Sequence, residues 1–181
     1  MSVTETKLEG CFIIEPTIYN DNRGYFFESF NQSKFNEAIK KNIQFIQDNE
    51  SFSTKGVLRG LHFQKGEFAQ AKLVRVVKGK VLDIAVDIRR ESSTFGQYLS
   101  LELTEENKKQ IFVPRGFAHG FVVLSETAIL SYKCDNLYNK TSEEGIIYND
   151  PTLNIDWQLP QDKLIISEKD FILPTFEKLF Q

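Results

Sequence analysis

Short runs of β-branched and aromatic residues dominate the chain from Val57 onward, at residues 72–77, 81–88, 98–103, 110–113, 120–124 and 128–134. Turn-forming residues separate them at Lys65-Gly66, at Lys78-Gly79-Lys80 and across 104–107. Many short runs at such spacing predict an antiparallel sandwich or barrel. Alternation is explicit in one run, where Leu99, Leu101 and Leu103 share one face and Tyr98, Ser100 and Glu102 the other. One early helix is expected around Phe35, Ala38 and Ile39, which fall on a single face before the polar residues 40–42, with Ser33 as its cap. The tail, residues 150–181, carries Trp157, Pro160 and Pro174 and reads as loops and a short helix closing over a sheet. The expected fold is all-β: an antiparallel jelly-roll β-sandwich, preferred to an immunoglobulin-like one, with a few short peripheral helices.

No repeat, low-complexity tract or linker divides the chain, so one domain over residues 1–181 is expected. Hydrophobic residues make up 41% and charged ones 26%, and 16 phenylalanines point to an aromatic-rich interior. The net charge of −3 gives no general attraction to phosphate backbones, which argues against nucleic acid as a partner. Any anionic ligand must then be held by local cations. Cys11 and Cys134 lie far apart with no CxxC or Cys/His cluster, so neither a disulfide framework nor a zinc site is expected. Residues 1–10 are polar, and no apolar run approaches the roughly 20 residues a membrane span requires. A cytoplasmic protein without membrane attachment is the expectation.

Two histidines narrow the search for chemistry, because imidazole titrates closest to neutral pH. His62 interrupts the apolar pair Leu61 and Phe63, and His119 follows a glycine-flanked turn into a strand. Position alone does not separate a catalyst from a hydrogen-bonded core histidine. A metal-binding barrel would need three or four ligands, and the position two beyond His62 is Gln64, so no metal is expected. Tyr132 shares a strand face with Leu130 and Ala128, while Lys72 shares one with Val74 and Val76, where an inward ammonium needs an anionic partner or ligand. The segment Arg23-Gly24-Tyr25-Phe26-Phe27-Glu28 places a cation and a carboxylate beside three aromatics. No P-loop, dinucleotide-binding glycine pattern or nucleophile elbow occurs, which leaves acid/base work as the favoured chemistry.

Taken together, Arg23-Gly24 with Phe27-Glu28, Gln47-Asp48-Asn49, Arg59 through Gln64, Ala69-Gln70 with Lys72 through Arg75, Asp83 through Arg89, and Pro114 through Phe121 resemble the dTDP-4-dehydrorhamnose 3,5-epimerase family. The resemblance runs from about Gly10 to Asp170. It implies a cupin-type, metal-free and cofactor-free jelly roll, a homodimer, acting on a dTDP-linked 4-keto-6-deoxy sugar. It also implies roles: His62 as base paired with Asp170, Tyr132 as acid on the opposite face of the sugar, and Lys72 beside the developing enolate. Arg23, Glu28, Gln47, Asp48, Asn49, Arg59, His119 and Lys169 match positions lining the nucleotide-sugar site, and Tyr138 the aromatic that stacks on thymine.

One detail departs from the family pattern, and a second difficulty is geometric. The stretch from Asn139 to Gly145 is about one residue longer than is common, so the acidic contact is Glu143 or Glu144; anchoring on Gly145 favours Glu144. Strict alternation also places Arg59 on the face opposite His62, so either Arg59 precedes regular pairing or a bulge re-aims it. The implied chemistry is coherent. A keto group acidifies both neighbouring carbons, and inversion needs a base on one face and an acid on the other, a form of catalysis typically worth about 10²–10⁴ in rate. Alternatives within the same fold are a 3-only epimerase, a ketoisomerase, disfavoured by Gln64, and a non-catalytic sugar-binding cupin, which would need no opposed acid and base.

Overall fold

The computed structural model describes residues 1–180, so Gln181, the end of the expected tail, lies outside the described residues. In chain order the strands are β1 (Ser2–Glu5), β2 (Phe12–Glu15), β3 (Tyr19–Asp21), β4 (Gly24–Phe26), β5 (Gln47–Thr54), β6 (Val57–Gln64), β7 (Lys72–Lys78), β8 (Lys80–Asp87), β9 (Tyr98–Thr104), β10 (Gln110–Val113), β11 (Phe117–Val123), β12 (Thr127–Cys134), β13 (Glu143–Gly145) and β14 (Ile165–Ile166). A first sheet has the order β1-β2-β10-β7-β12-β5, and a second has β13-β6-β11-β8-β9. Pairing is antiparallel throughout except where β14 joins β6 in parallel. The ribbon β3–β4 pairs with neither sheet. This is the expected jelly-roll sandwich.

Three apolar layers follow from the alternation. Between the sheets lie Val74, Val76, Leu130, Val81 and Leu103, with Leu99 and Leu101 packed against them as the sequence pattern requires. The outer face of the first sheet, including Phe12, Leu73 and Phe112, is covered by α1 (Gln32–Ile39) through Phe35 and Ile39. The rings of Phe35 and Phe112 meet edge to face with centroids 5.4 Å apart. The outer face of the second sheet, including Leu82, Ile84 and Val86, is covered by the tail through Leu153, Trp157 and Phe176. Asp150 pins that tail: its carboxylate accepts from the Leu153 amide at 2.8 Å and the Phe176 amide at 2.7 Å. Two short helices, α2 (Glu168–Phe171) and α3 (Phe176–Phe180), complete it.

One local expectation is corrected. The cap of α1 is Asn31, whose side chain accepts from the Lys34 amide, and Ser33 already lies inside the helix. Asn31 has the extended backbone that a cap requires, so the helix starts two residues earlier than its apolar face suggests.

Candidate active site

Inside the sandwich the side chains change character along the strands. On β7 the inward positions run Lys72, Val74, Val76, and on β12 they run Tyr132, Leu130, Ala128, so both strands pass from polar to apolar in step. The polar end opens as a cavity of about 540 Å³ whose walls include Arg59, His62, Lys72, His119, Tyr132 and Asp170. A groove of about 360 Å³ adjoins it, walled by Gln47, Asn49, Tyr138 and Glu143. His62, Lys72 and Tyr132 line both spaces and form the neck between them.

His62 reaches this neck from β6, and its Nε2 lies 2.7 Å from Asp170 Oδ1. Asp170 is buried in α2, where Ser167 caps the helix by accepting from the Asp170 amide at 3.1 Å. Burial alone would push this carboxyl up, but the hydrogen bond and charge of His62, with the Gly60 amide at 3.3 Å and Ser167, outweigh it and hold the group below the usual carboxylate range. A carboxylate only accepts, so His62 donates through Nε2 and keeps the Nδ1 lone pair for another proton.

Arg59 and His62 line the same cavity although they lie three positions apart, and the register of β6 against β11 gives the reason. His62 faces His119 and Arg59 faces Phe121, so three steps on β6 oppose two on β11: a bulge re-aims Arg59. Gly60 lies in this bulge with φ +130°, and a Cβ there would come within 2.6 Å of the Gly120 Cα, so only glycine fits. Arg59 is steadied by its Nε, which donates to Ser53 Oγ at 3.1 Å.

Tyr132 and Lys72 project from the opposite sheet. Burial raises the Tyr132 hydroxyl above its ordinary value, which keeps it protonated at neutral pH. Lys72 Nζ lies 6.0 Å from the centre of the Tyr132 ring, and burial lowers its ammonium, partly countered by the Asp83 and Glu143 carboxylates. His119 is buried on β11, directly opposite His62, with Nε2 at 2.9 and 3.0 Å from the two oxygens of Asp83.

In the groove, the Tyr138 hydroxyl donates to Glu143 Oε2 at 2.9 Å, and Lys169 pairs with the same carboxylate. These two contacts overcome burial and lower Glu143, while Glu143 in turn raises Tyr138 and Lys169. Glu144 is not the acidic group at the site. Facing Phe63 across β13–β6, it turns to the other side of the strand and pairs with Lys65, whereas Glu143 faces Gln64. Gln47 and Asn49 line the groove, but Asp48 between them points outward and pairs with Lys133 at 2.8 Å, as strand alternation dictates. Arg23 and Glu28 do not reach the cavity: Arg23 pairs with Asp21 at 2.6 Å on the β3–β4 ribbon, and Glu28 with Lys34 at 2.9 Å.

Sequence reasoning passed over Asp83 as the partner of His119. The signal was present, since a lone carboxylate interrupts the apolar run 81–86 as His62 interrupts its own. Among the described residues no group of three or more His, Cys, Asp or Glu side chains is arranged to hold a metal ion, and no helix is long and apolar enough to cross a membrane.

The chain aligns over nearly its whole length with a set of known proteins. The family model described as dTDP-4-dehydrorhamnose 3,5-epimerase matches residues 5–178. A relative of that name from Shigella flexneri is 50% identical over 170 residues, covering 94% of this chain and 93% of its own. The crystal structure of dTDP-4-dehydrorhamnose 3,5-epimerase from Elizabethkingia anophelis superposes with a TM-score of 0.96 at 55% identity, over 100% of this chain and 99% of that one. The Legionella pneumophila dTDP-6-deoxy-D-glucose-3,5-epimerase, solved in complex with dTDP-4-keto-L-rhamnose, gives 0.93 at 46% identity, over 97% and 93%. Sequence agreement from end to end and a shared sandwich place this chain in the dTDP-4-dehydrorhamnose 3,5-epimerase family.

Proposed function

We propose that this protein is an isomerase that inverts the two carbons flanking the keto group of dTDP-4-keto-6-deoxyglucose, giving dTDP-4-keto-L-rhamnose. The observation that carries the reading is that His62 and Tyr132 project from opposing sheets into one neck, with Lys72 beside them. His62 Nδ1 takes the proton from a carbon next to the keto group. The electron pair moves onto the keto oxygen, where the Lys72 ammonium stabilises it. Tyr132 then delivers a proton from the other side, and solvent exchange resets both groups. Asp170 holds the imidazole in the required tautomer through the 2.7 Å contact to Nε2. The nucleotide lies along the groove, with the base on Tyr138 and polar contacts from Gln47, Asn49, Arg59, His119, Glu143 and Lys169. No cofactor or metal enters this scheme.

The decisive experiment incubates the purified protein with the dTDP-linked keto sugar in deuterated water. Deuterium at both flanking carbons, with the L-rhamno product, supports the reading; deuterium at one carbon only would make the enzyme a 3-only epimerase, and no exchange would leave a sugar-binding protein.

We also propose a homodimer of single-domain subunits. Tyr19, Tyr25 and Phe26 on the β3–β4 ribbon are 63%, 58% and 69% exposed, an aromatic patch that a second copy would cover. The same contact would carry Arg23 and Glu28, both outside their own chain's cavity, toward the neighbour's. Light scattering should give twice 20.9 kDa, and a monomer at working concentration would overturn this assembly. Cys11 and Cys134 are both unpaired thiols, which suits the reducing cytoplasm to which we assign the enzyme.

A further inference from the structure

Asp83 is fully buried on β8, and the acid/base scheme gives it no task. A carboxylate removed from water is costly unless paired, and an apolar residue at such a position is often neutral or stabilising. Its neighbours on the same inward face, Val81 and Ala85, are apolar and belong to the central core. Asp83 has nevertheless both oxygens on the Nε2 of His119, at 2.9 and 3.0 Å. His119 pairs in register with His62 on the adjacent strand and lines the same cavity. The site therefore contains two parallel histidine–carboxylate pairs, His62–Asp170 and His119–Asp83, each with Nε2 turned to its carboxylate.

We propose that Asp83 is a positioning residue of the epimerase site: it fixes His119 as the Nε2–H tautomer, leaving Nδ1 to the cavity. The inference rests on the epimerase reading.

The test has two arms. Asp83→Asn keeps the shape and removes the charge. We expect kcat to fall about 10- to 100-fold, the range seen when carboxylates that orient metal-binding histidines are removed. A folded variant with parental kcat would overturn the proposal. The second arm needs no variant: ¹⁵N NMR of the parent protein, which has only two histidines, should show His119 protonated at Nε2. A His119 protonated at Nδ1 with a bare Nε2 would refute the tautomer assignment. If the parent lacked epimerase activity altogether, the functional reading would fail instead, and the NMR result would still stand by itself.

Discussion

At the scale of single residues, the base and the acid can be separated experimentally. Tyr132→Phe removes the hydroxyl and leaves the ring, so His62 should still form the enolate and return a solvent deuteron to the face from which it took the proton. Exchange should persist while net inversion falls by about 10²–10⁴. NMR in deuterated water follows both quantities, and loss of exchange and inversion in equal proportion would show that Tyr132 does not act after proton abstraction. Tyr138 offers a second test, since its ring is 54% exposed at the rim of the groove. Tyr138→Ala should weaken dTDP binding by roughly 1–3 kcal/mol, the usual worth of stacking on a base. Calorimetric titration with dTDP alone would reveal an unchanged affinity if the stacking assignment were wrong. His62, Tyr132, Lys72 and Asp170 were given roles in the sequence only through the family resemblance, and all four line one cavity. Glu143 and Glu144 were not separable, because which of two adjacent residues faces a cavity depends on strand register, and an added loop residue shifts that register's anchor.

At the scale of elements, the strands rich in β-branched residues were readable and β5 was not. Its residues, Gln47 to Thr54, face the site on one side and solvent on the other, so apolar alternation never develops. The bulge in β6 was legible only as a contradiction, the wrong parity of Arg59, which the register against β11 resolves. A different element makes a pH prediction. Where β8 ends, Asp87 is buried, yet Arg89 at 2.6–2.8 Å, Ser92 at 2.6 Å and Thr94 at 2.7 Å outweigh that burial and hold its carboxyl at about 2. The folded value lies below the ordinary 3.8, so this clasp stabilises the fold above pH 4 and is lost as the pH falls toward 2. The difference is worth about 2 kcal/mol at neutral pH. Urea unfolding of Asp87→Asn should show a loss of that order at pH 7 and a much smaller one near pH 2; equal losses at both would mean the clasp is not electrostatic.

At the scale of the whole molecule, the two sheets share one core, so fluorescence of Trp157 in the tail layer and circular dichroism of the strands should report a single coincident unfolding transition. Two separated transitions would contradict a single-domain chain. Exhaustive chelation should leave turnover unchanged, and a loss restored by a divalent ion would sink the cofactor-free mechanism. The placement of the proposed base and acid on facing sheets has a mechanical corollary. The gap that the sugar must fill is the thickness of the sandwich, and that thickness is set by Val76, Val81 and Leu103, none of which lines the cavity. Those side chains act as shims: swapping one for a larger or smaller neighbour tilts one sheet against the other and changes the throw of every proton transfer. A search for variants that accept bulkier keto sugars should therefore begin in the greasy layer rather than among the residues that touch the sugar.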